Sequence, residues 1–127
     1  MNMLSQKILL VDDERLSSDI IEEALLTNGV YYVEKASNGQ EGLEKYKAFM
    51  PDLVIMDIEM PIMDGYESSS RIKSFDPKAK ILVVTGNPQH PSAKRTLDEG
   101  IALSVLQKPL RLGDLSRIIQ ENLQVFN

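Results

Sequence analysis

Four short apolar runs punctuate the chain, and none of them shows the polar alternation of a half-exposed strand. They are Lys7–Val11, Leu53–Met56, Lys80–Val84 and Ala102–Leu106. Runs this short and this uniformly apolar are typical of parallel strands that helices cover on both faces. A fifth segment, Tyr31–Lys35, is rich in β-forming residues but carries two charges, which predicts an edge strand.

Amphipathic segments with a helical period lie between and after these runs. A helix after the first run is expected to end at Asn28–Gly29, because glycine favours the left-handed turn that closes a helix. We expect the apolar positions of all five helices to pack in the core. The markers are Leu16, Ile20, Ala24 and Leu25; Leu43, Tyr46 and Met50; Gly65–Phe75; Pro91 to about Glu99; and Leu112, Leu115, Ile119 and Leu123.

The resulting order is strand then helix, five times over. Such alternation predicts an α/β protein with a parallel sheet and right-handed crossovers. We expect a flavodoxin-like (βα)5 fold, a three-layer sandwich with helices on both faces of a five-stranded parallel sheet. The strand order 2-1-3-4-5 fits five strands of this kind, although the pattern alone does not fix it.

Composition supports one globular domain. The chain has 127 residues, of which 43% are hydrophobic, enough for one buried core. We expect a single domain over residues 1–127, with its core at about 7–124 and no output domain. The chain has no cysteine and one histidine, His90, which excludes thiolate sites and multi-histidine metal sites.

The charge balance is acidic. Lysine and arginine number 14 and aspartate and glutamate 19, which gives a net charge of −5. An acidic domain repels phosphate backbones, so we expect no direct nucleic-acid binding. No apolar run approaches the ~20 residues of a membrane-spanning helix, and the first seven residues do not form a signal peptide. We therefore expect a cytoplasmic protein without a membrane contact.

Polar side chains follow the predicted strands at the point where each ends. Asp12, Asp13 and Glu14 follow the first strand, and Asp57 follows the third. Thr85 follows the fourth, and Lys108 lies near the end of the fifth. Because parallel strands end at one edge of the sheet, these side chains are expected to converge there.

Clustered carboxylates need a compensating charge. Two carboxylates about 4 Å apart repel by roughly 4 kcal/mol at an effective dielectric of 20, so either one is protonated or a cation binds. A hard divalent ion such as Mg²⁺ suits these oxygen ligands. With the ammonium of Lys108 and the hydroxyl of Thr85, the set suits attachment of a phosphoryl group to an aspartate.

Each of these polar residues also has an ordinary structural interpretation. Acidic residues after a strand often cap the next helix, and a lone Asp or a Lys-Pro pair often lies in a solvated turn. The joint occurrence of these residues at four strand ends favours a site.

Four sequence strings form a recognisable set at these positions. They are ILLVDDE at 8–14, LVIMDIEMPIMDGYE at 53–67, VVTG at 83–86 and QKPL at 107–110. Together they resemble the receiver domain of two-component response regulators, over about residues 7–123. The string D-x-x-M-P-x-M-D-G, at 57–65, is the most specific of them.

The resemblance implies a phosphoacceptor role for Asp57, which would receive a phosphoryl group from a phosphohistidine of a histidine kinase or phosphotransfer protein. It implies a contact of Lys108 with that group and a movement of Thr85 to hydrogen-bond it. It also implies a cis peptide bond before Pro109.

The resemblance further implies a metal site. Asp12, Asp13, Asp57 and the backbone carbonyl of Glu59 would hold Mg²⁺, and Mn²⁺ or Ca²⁺ would substitute for it. These roles are expectations from the family pattern.

A regulatory rather than an enzymatic function follows from the same resemblance. Phosphorylation would change the surface of the fourth helix, fifth strand and fifth helix, at about residues 87–124, and so control a partner or an attached domain. The target stays open, and the chain is expected to be a monomer or a weak dimer. Val105 stands where the family often has an aromatic residue, so the coupling of that position to Thr85 is in question.

Two other functions fit parts of the pattern. The Asp57-Ile58-Glu59 string is faintly similar to the Asp-x-Asp pair of haloacid-dehalogenase-like phosphatases, although glutamate replaces the second aspartate. A receiver-like interaction module that is never phosphorylated is the second alternative.

Overall fold

The computed structural model describes residues 6–29 and 32–122, in which five strands alternate with five helices. Across these ranges no helix is long and apolar enough to cross a lipid bilayer. The elements are β1 (Lys7–Val11), α1 (Arg15–Thr27), β2 (Tyr32–Ala36), α2 (Gly39–Phe49), β3 (Leu53–Met56), α3 (Gly65–Phe75), β4 (Ile81–Thr85), α4 (Pro91–Asp98), β5 (Ser104–Gln107) and α5 (Leu112–Asn122).

The strands form one parallel sheet in the order β2-β1-β3-β4-β5. This confirms the predicted flavodoxin-like fold, its strand order and the edge position of β2. The bounds of β1, β3 and α3 agree with the sequence pattern, whereas β4 and β5 begin one and two residues later than predicted. Tyr31, the first residue of the predicted edge strand, lies outside the described residues.

Both faces of the sheet are buried, because successive side chains of a strand point to opposite faces. In β1, Ile8 and Leu10 pack with α1 and α5, while Leu9 and Val11 pack with α2 and α3. A smaller cluster joins Val83 of β4 to α4. The uniform apolar runs of the sequence are therefore explained by a sheet with helices on both sides.

Five large apolar positions of the predicted helices do not lie in the core, which corrects the sequence prediction. They are Leu16 (74% exposed), Ile20 (57%), Met50 (46%), Phe75 (49%) and Leu97 (45%). The buried face of α1 instead carries Ser18, Ile21, Ala24 and Leu25, one helical stripe away from the pair at 16 and 20. Met50 follows α2 as its C-cap in a left-handed conformation.

The remaining markers divide between confirmed positions and positions outside the described residues. Leu43, Tyr46 and Leu115 are buried as predicted. The helix ends at Asn28 and Gly29 as predicted, and Gly29 adopts a positive φ of 92°. The side chains of Leu112 and Ile119, and the whole of Leu123, lie outside the described part of the chain.

Candidate functional site

The sheet places three charged residues at its carboxyl edge through backbone hydrogen bonds that continue just past the strands. The Asp12 N–H donates to the carbonyl of Ala36 (3.0 Å), and the Asp57 N–H donates to the carbonyl of Val11 (2.9 Å). The Lys108 N–H donates to the carbonyl of Thr85 (2.9 Å). Residues up to 96 positions apart are thereby brought to one edge.

Three carboxylates meet at this edge. Asp12, Asp13 and Asp57 each offer an oxygen, and these oxygens lie within 4.8 Å of one another. Asp12 and Asp57 are only 5% and 7% exposed, while Asp13 faces solvent. An all-oxygen donor set with one side open to water fits a hard divalent cation such as Mg²⁺, which keeps several water ligands. The side chain of Glu59 is exposed.

Lys108 reaches into this cluster from β5. Its ammonium nitrogen lies 2.8 Å from Asp12 Oδ2, 3.3 Å from Glu14 Oε1 and 3.4 Å from Asp57 Oδ2. The Lys108 side chain is 14% exposed, so it is no solvated turn residue. Burial alone would lower the pKa of Lys108, but the hydrogen bond to Asp12 and the charges of Asp57 and Asp12 raise it above its ordinary value, which keeps the ammonium charged.

The two oxygens of Asp57 differ in their partners. Oδ1 accepts the backbone N–H of Ile58 at 2.8 Å, and Oδ2 faces Lys108. Burial raises the pKa of Asp57 to about 6; Lys108 opposes this shift and Asp12 adds to it. An arrangement in which one oxygen is held and the other faces a cation can orient a carboxylate as a nucleophile.

Thr85 ends β4 beside this cluster. It is 1% exposed, and its hydroxyl oxygen accepts the backbone N–H of Asn87 at 3.2 Å. Because the Thr85 carbonyl also accepts the Lys108 N–H, the threonine joins the β4–α4 loop to the lysine. The peptide bond between Lys108 and Pro109 is cis, as the resemblance implied.

The loop after β3 is held by two glycines at sites of close backbone approach. A Cβ on Gly65 would lie 1.9 Å from the Asp57 carbonyl oxygen, and one on Gly39 would lie 2.3 Å from the Met63 carbonyl oxygen. The Gly39 N–H donates to the same Met63 carbonyl, and the Gly65 N–H donates to the carbonyl of Ile58, the residue after Asp57. The glycine of the D-x-x-M-P-x-M-D-G string is therefore needed to pack α3 against Asp57.

Two other residues near the site cap helices, a role that the sequence pattern did not assign to them. Asp64 caps α3, since its carboxylate accepts the Glu67 N–H at 2.9 Å. His90, which the sequence pattern places on the loop before the fourth helix, caps α4 through Nδ1, which accepts the Ser92 N–H at 3.1 Å.

Glu14 is the member of the charge cluster to which the sequence analysis gave no role beyond a helix cap. It occupies the N-cap position of α1, yet its side chain caps no backbone N–H and pairs with Lys108 instead. Its place directly after Asp12 and Asp13 was the signal available in the sequence. Only the structure places its carboxylate beside a lysine 94 residues away.

Known proteins are similar to this chain in sequence and in fold. The family model for the response regulator receiver domain matches residues 8–120. The chemotaxis protein CheY of Halobacterium salinarum is 35% identical over 119 residues, which cover 91% of this chain and 98% of that protein.

Solved structures agree with this match. The crystal structure of a CheY-like response regulator receiver domain protein from Methanospirillum hungatei superposes with a TM-score of 0.85 at 31% identity, over 93% of each chain. The response regulator TrrA from Thermotoga maritima, solved in complex with Mg²⁺ and BeF, superposes with a TM-score of 0.83 at 31% identity, over 93% of this chain and 99% of that one. By sequence and by architecture, the chain belongs to the response regulator receiver domain family of two-component signalling.

Proposed function

We propose that this receiver domain accepts a phosphoryl group on Asp57 from a phosphohistidine of a histidine kinase or phosphotransfer protein. The observation that carries the proposal is the orientation of Asp57. One oxygen is held by the Ile58 N–H, and the other lies 3.4 Å from the Lys108 ammonium in a cluster of carboxylates.

In the transfer step, Asp57 Oδ2 attacks phosphorus and forms an O–P bond while the donor P–N bond breaks. The electron pair of that bond stays on the imidazole nitrogen, which takes up a proton. Lys108 stabilises the negative charge on the phosphoryl oxygens, because phosphoryl transfer depends on positioning and charge neutralisation.

A bound Mg²⁺ supplies the additional positive charge that brings an anionic donor to three carboxylates. Asp12, Asp13 and Asp57 would hold it, with the backbone carbonyl of Glu59 as the further ligand that the family pattern suggests. Mn²⁺ or Ca²⁺ would take the same place. The inorganic complex of TrrA with Mg²⁺ and BeF supports this assignment by analogy.

We propose a regulatory output through α4, β5 and α5, at about residues 87–124, of which 123 and 124 lie outside the described residues. A phosphoryl group adds close to two negative charges, and Thr85 and Lys108 can form contacts with it that the unphosphorylated site lacks. Such differential contacts shift a conformational equilibrium. Thr85 and Lys108 are also joined by a backbone hydrogen bond, from the Lys108 N–H to the Thr85 carbonyl. This bond links the site to β4 and β5.

The test is incubation with acetyl phosphate and Mg²⁺, followed by intact mass measurement. We expect one addition of about 80 Da, the mass of a phosphoryl group, that is absent without Mg²⁺ and absent in Asp57→Asn. Asp98→Asn, which neutralises an exposed carboxylate at the end of α4, should label like the parent protein.

The alternatives give different outcomes in the same experiment. A folded parent protein that stays unlabelled would support the unphosphorylated interaction module. Repeated turnover of a phosphate monoester would support the phosphatase. A regulatory role without classical enzyme activity, a cytoplasmic location, no nucleic-acid binding and a monomer or weak dimer remain predictions.

A further inference from the structure

The Lys108 ammonium has no hydrogen-bond donor to spare. An ammonium carries three N–H groups and no acceptor, and its contacts are to Asp12, Glu14 and Asp57. A phosphoryl oxygen that binds Lys108 must therefore displace one of three carboxylates or share a donor with it.

These three carboxylates are not equally easy to displace. The Asp12 and Asp57 side chains are 2% and 8% exposed, whereas that of Glu14 is 67% exposed. Asp12 is further held through Oδ1, which accepts the Glu14 backbone N–H at 2.9 Å. Glu14 has the long, solvated side chain that water stabilises best after release.

Nothing else in the described contacts explains the position of the Glu14 carboxylate. As the N-cap residue of α1, it would be expected to accept a backbone N–H of the first helical turn. It accepts none, and Arg15 next to it pairs with Asp19. The carboxylate instead lies 3.3 Å from the ammonium of the partly buried Lys108, with most of the Glu14 side chain exposed to solvent.

We propose that Glu14 is an electrostatic gate of the phosphorylation site: its carboxylate occupies the lysine donor that an incoming phosphoryl oxygen takes, and so slows phosphoryl acceptance. This inference rests on the proposed function of Asp57 and adds a positioning residue to it. Glu14 acts through Lys108 and through its own negative charge at the entrance, not by contact with the reacting bond. Release of Glu14 breaks only its ion pair with Lys108 and no covalent bond, so it is reversible.

The first measurement compares the parent protein with Glu14→Gln in acetyl phosphate labelling at low ionic strength. We expect Glu14→Gln to label about fivefold faster, since one unit charge at about 4 Å in a water-like medium changes a rate by roughly that factor. In high salt the difference should fall below about twofold, because exposed charges are screened. Glu14→Asp keeps the charge and should stay within about twofold of the parent.

The matched control is Glu44→Gln. Glu44 is an exposed carboxylate on α2 that accepts a hydrogen bond from Gln40, so its replacement changes the net charge equally without touching Lys108. We expect the labelling rate of this variant to equal that of the parent protein.

A second readout separates the gate from a merely structural effect. Beryllofluoride imitates a phosphoryl group without covalent chemistry, and its affinity with Mg²⁺ should also rise about fivefold in Glu14→Gln. Equal rates and affinities in parent and Glu14→Gln, or a slower variant, would overturn the gate while Asp57 still labels. A folded parent protein that never labels would overturn the proposed function, and the gate with it.

Discussion

Two lysines of this domain each pair with several carboxylates, but in very different surroundings. We call Lys108 with Asp12, Glu14 and Asp57 the buried cluster. In it, the side chains of the lysine and two of its partners are at most 14% exposed. The surface cluster is Lys35 on β2 with Asp19 and Glu22 on α1, whose side chains are 31% to 48% exposed.

The difference in burial changes the energetics of the two clusters. Water screens the surface cluster, and such pairs contribute about 0–1 kcal/mol to stability. In the buried cluster desolvation opposes the charge of Asp57, so the pKa of Asp57 rises to about 6. One ammonium facing several carboxylates leaves that site short of positive charge, and this shortage is what a cation or a rearrangement of Lys108 would relieve.

The largest expected effect is on the stability of the metal-free protein. Asp57→Asn removes a buried charge beside Asp12 and should raise the free energy of unfolding by about 2 kcal/mol. Urea denaturation in the presence of EDTA measures it. Asp19→Asn, in the surface cluster, should leave the urea midpoint almost unchanged. A less stable Asp57→Asn would show that the pairing with Lys108 outweighs desolvation.

A smaller effect is expected from Mg²⁺. At ten times its dissociation constant, a ligand of the folded state stabilises it by about 1.4 kcal/mol, so Mg²⁺ should raise the urea midpoint of the parent protein. Asp13→Asn should reduce this rise, because it removes one of the three ligands, and Asp19→Asn should keep it. An equal rise in all three proteins would place the ion elsewhere.

The smallest effect belongs to the surface cluster. Hydrogen bonds to Asp19 and Glu22 raise the pKa of Lys35, and the bond from Lys35 lowers the pKa of Asp19. The lysine contribution is therefore present below about pH 10.5 and lost as pH rises through the higher folded value. The aspartate contribution is present above about pH 3.8 and lost as pH falls through the lower folded value.

Lys35→Met tests this arrangement. At neutral pH it should cost less than about 1 kcal/mol, and the cost should shrink in acid, where Asp19 is protonated, and in 1 M salt. Urea midpoints across pH measure the effect. If Lys35→Met lowered the free energy of unfolding as much as breaking a buried ion pair does, the two clusters would not differ in energy as described.

The sequence predicts the sheet well and the helix faces less well. Uniform apolar runs such as Leu53–Met56 predict buried strands of a parallel sheet. Because such strands end at the same edge, the ends of the runs also predict that Asp12, Asp57 and Lys108 lie together there. A helical period does not state which of two adjacent stripes faces inward. On α1 the small Ser18 is buried and Leu16 is exposed, because the space beneath the helix decides between them.

Contacts between distant side chains are the part that the sequence could not supply. The string at 12–14 predicts a group of acidic side chains at the end of the first strand. The pairing of Glu14 with Lys108 depends in addition on how α1 and β5 are placed relative to each other. The roles of Asp57, Lys108, Thr85 and the metal ligands, and the single-domain extent, stay predictions; the experiments above address the roles of Asp57 and Asp13.

The two glycine contacts have a consequence for how the domain can respond to a larger occupant. At Gly65 and Gly39 backbone meets backbone with no room for a methyl group between them, so the segment after β3 cannot move away from these contacts without breaking the hydrogen bonds beside them. Lys108 and Glu14 instead reach each other through long side chains with rotatable bonds. We therefore expect a larger group at Asp57 to be accommodated by rotation of these two side chains, with the backbone after β3 staying in place.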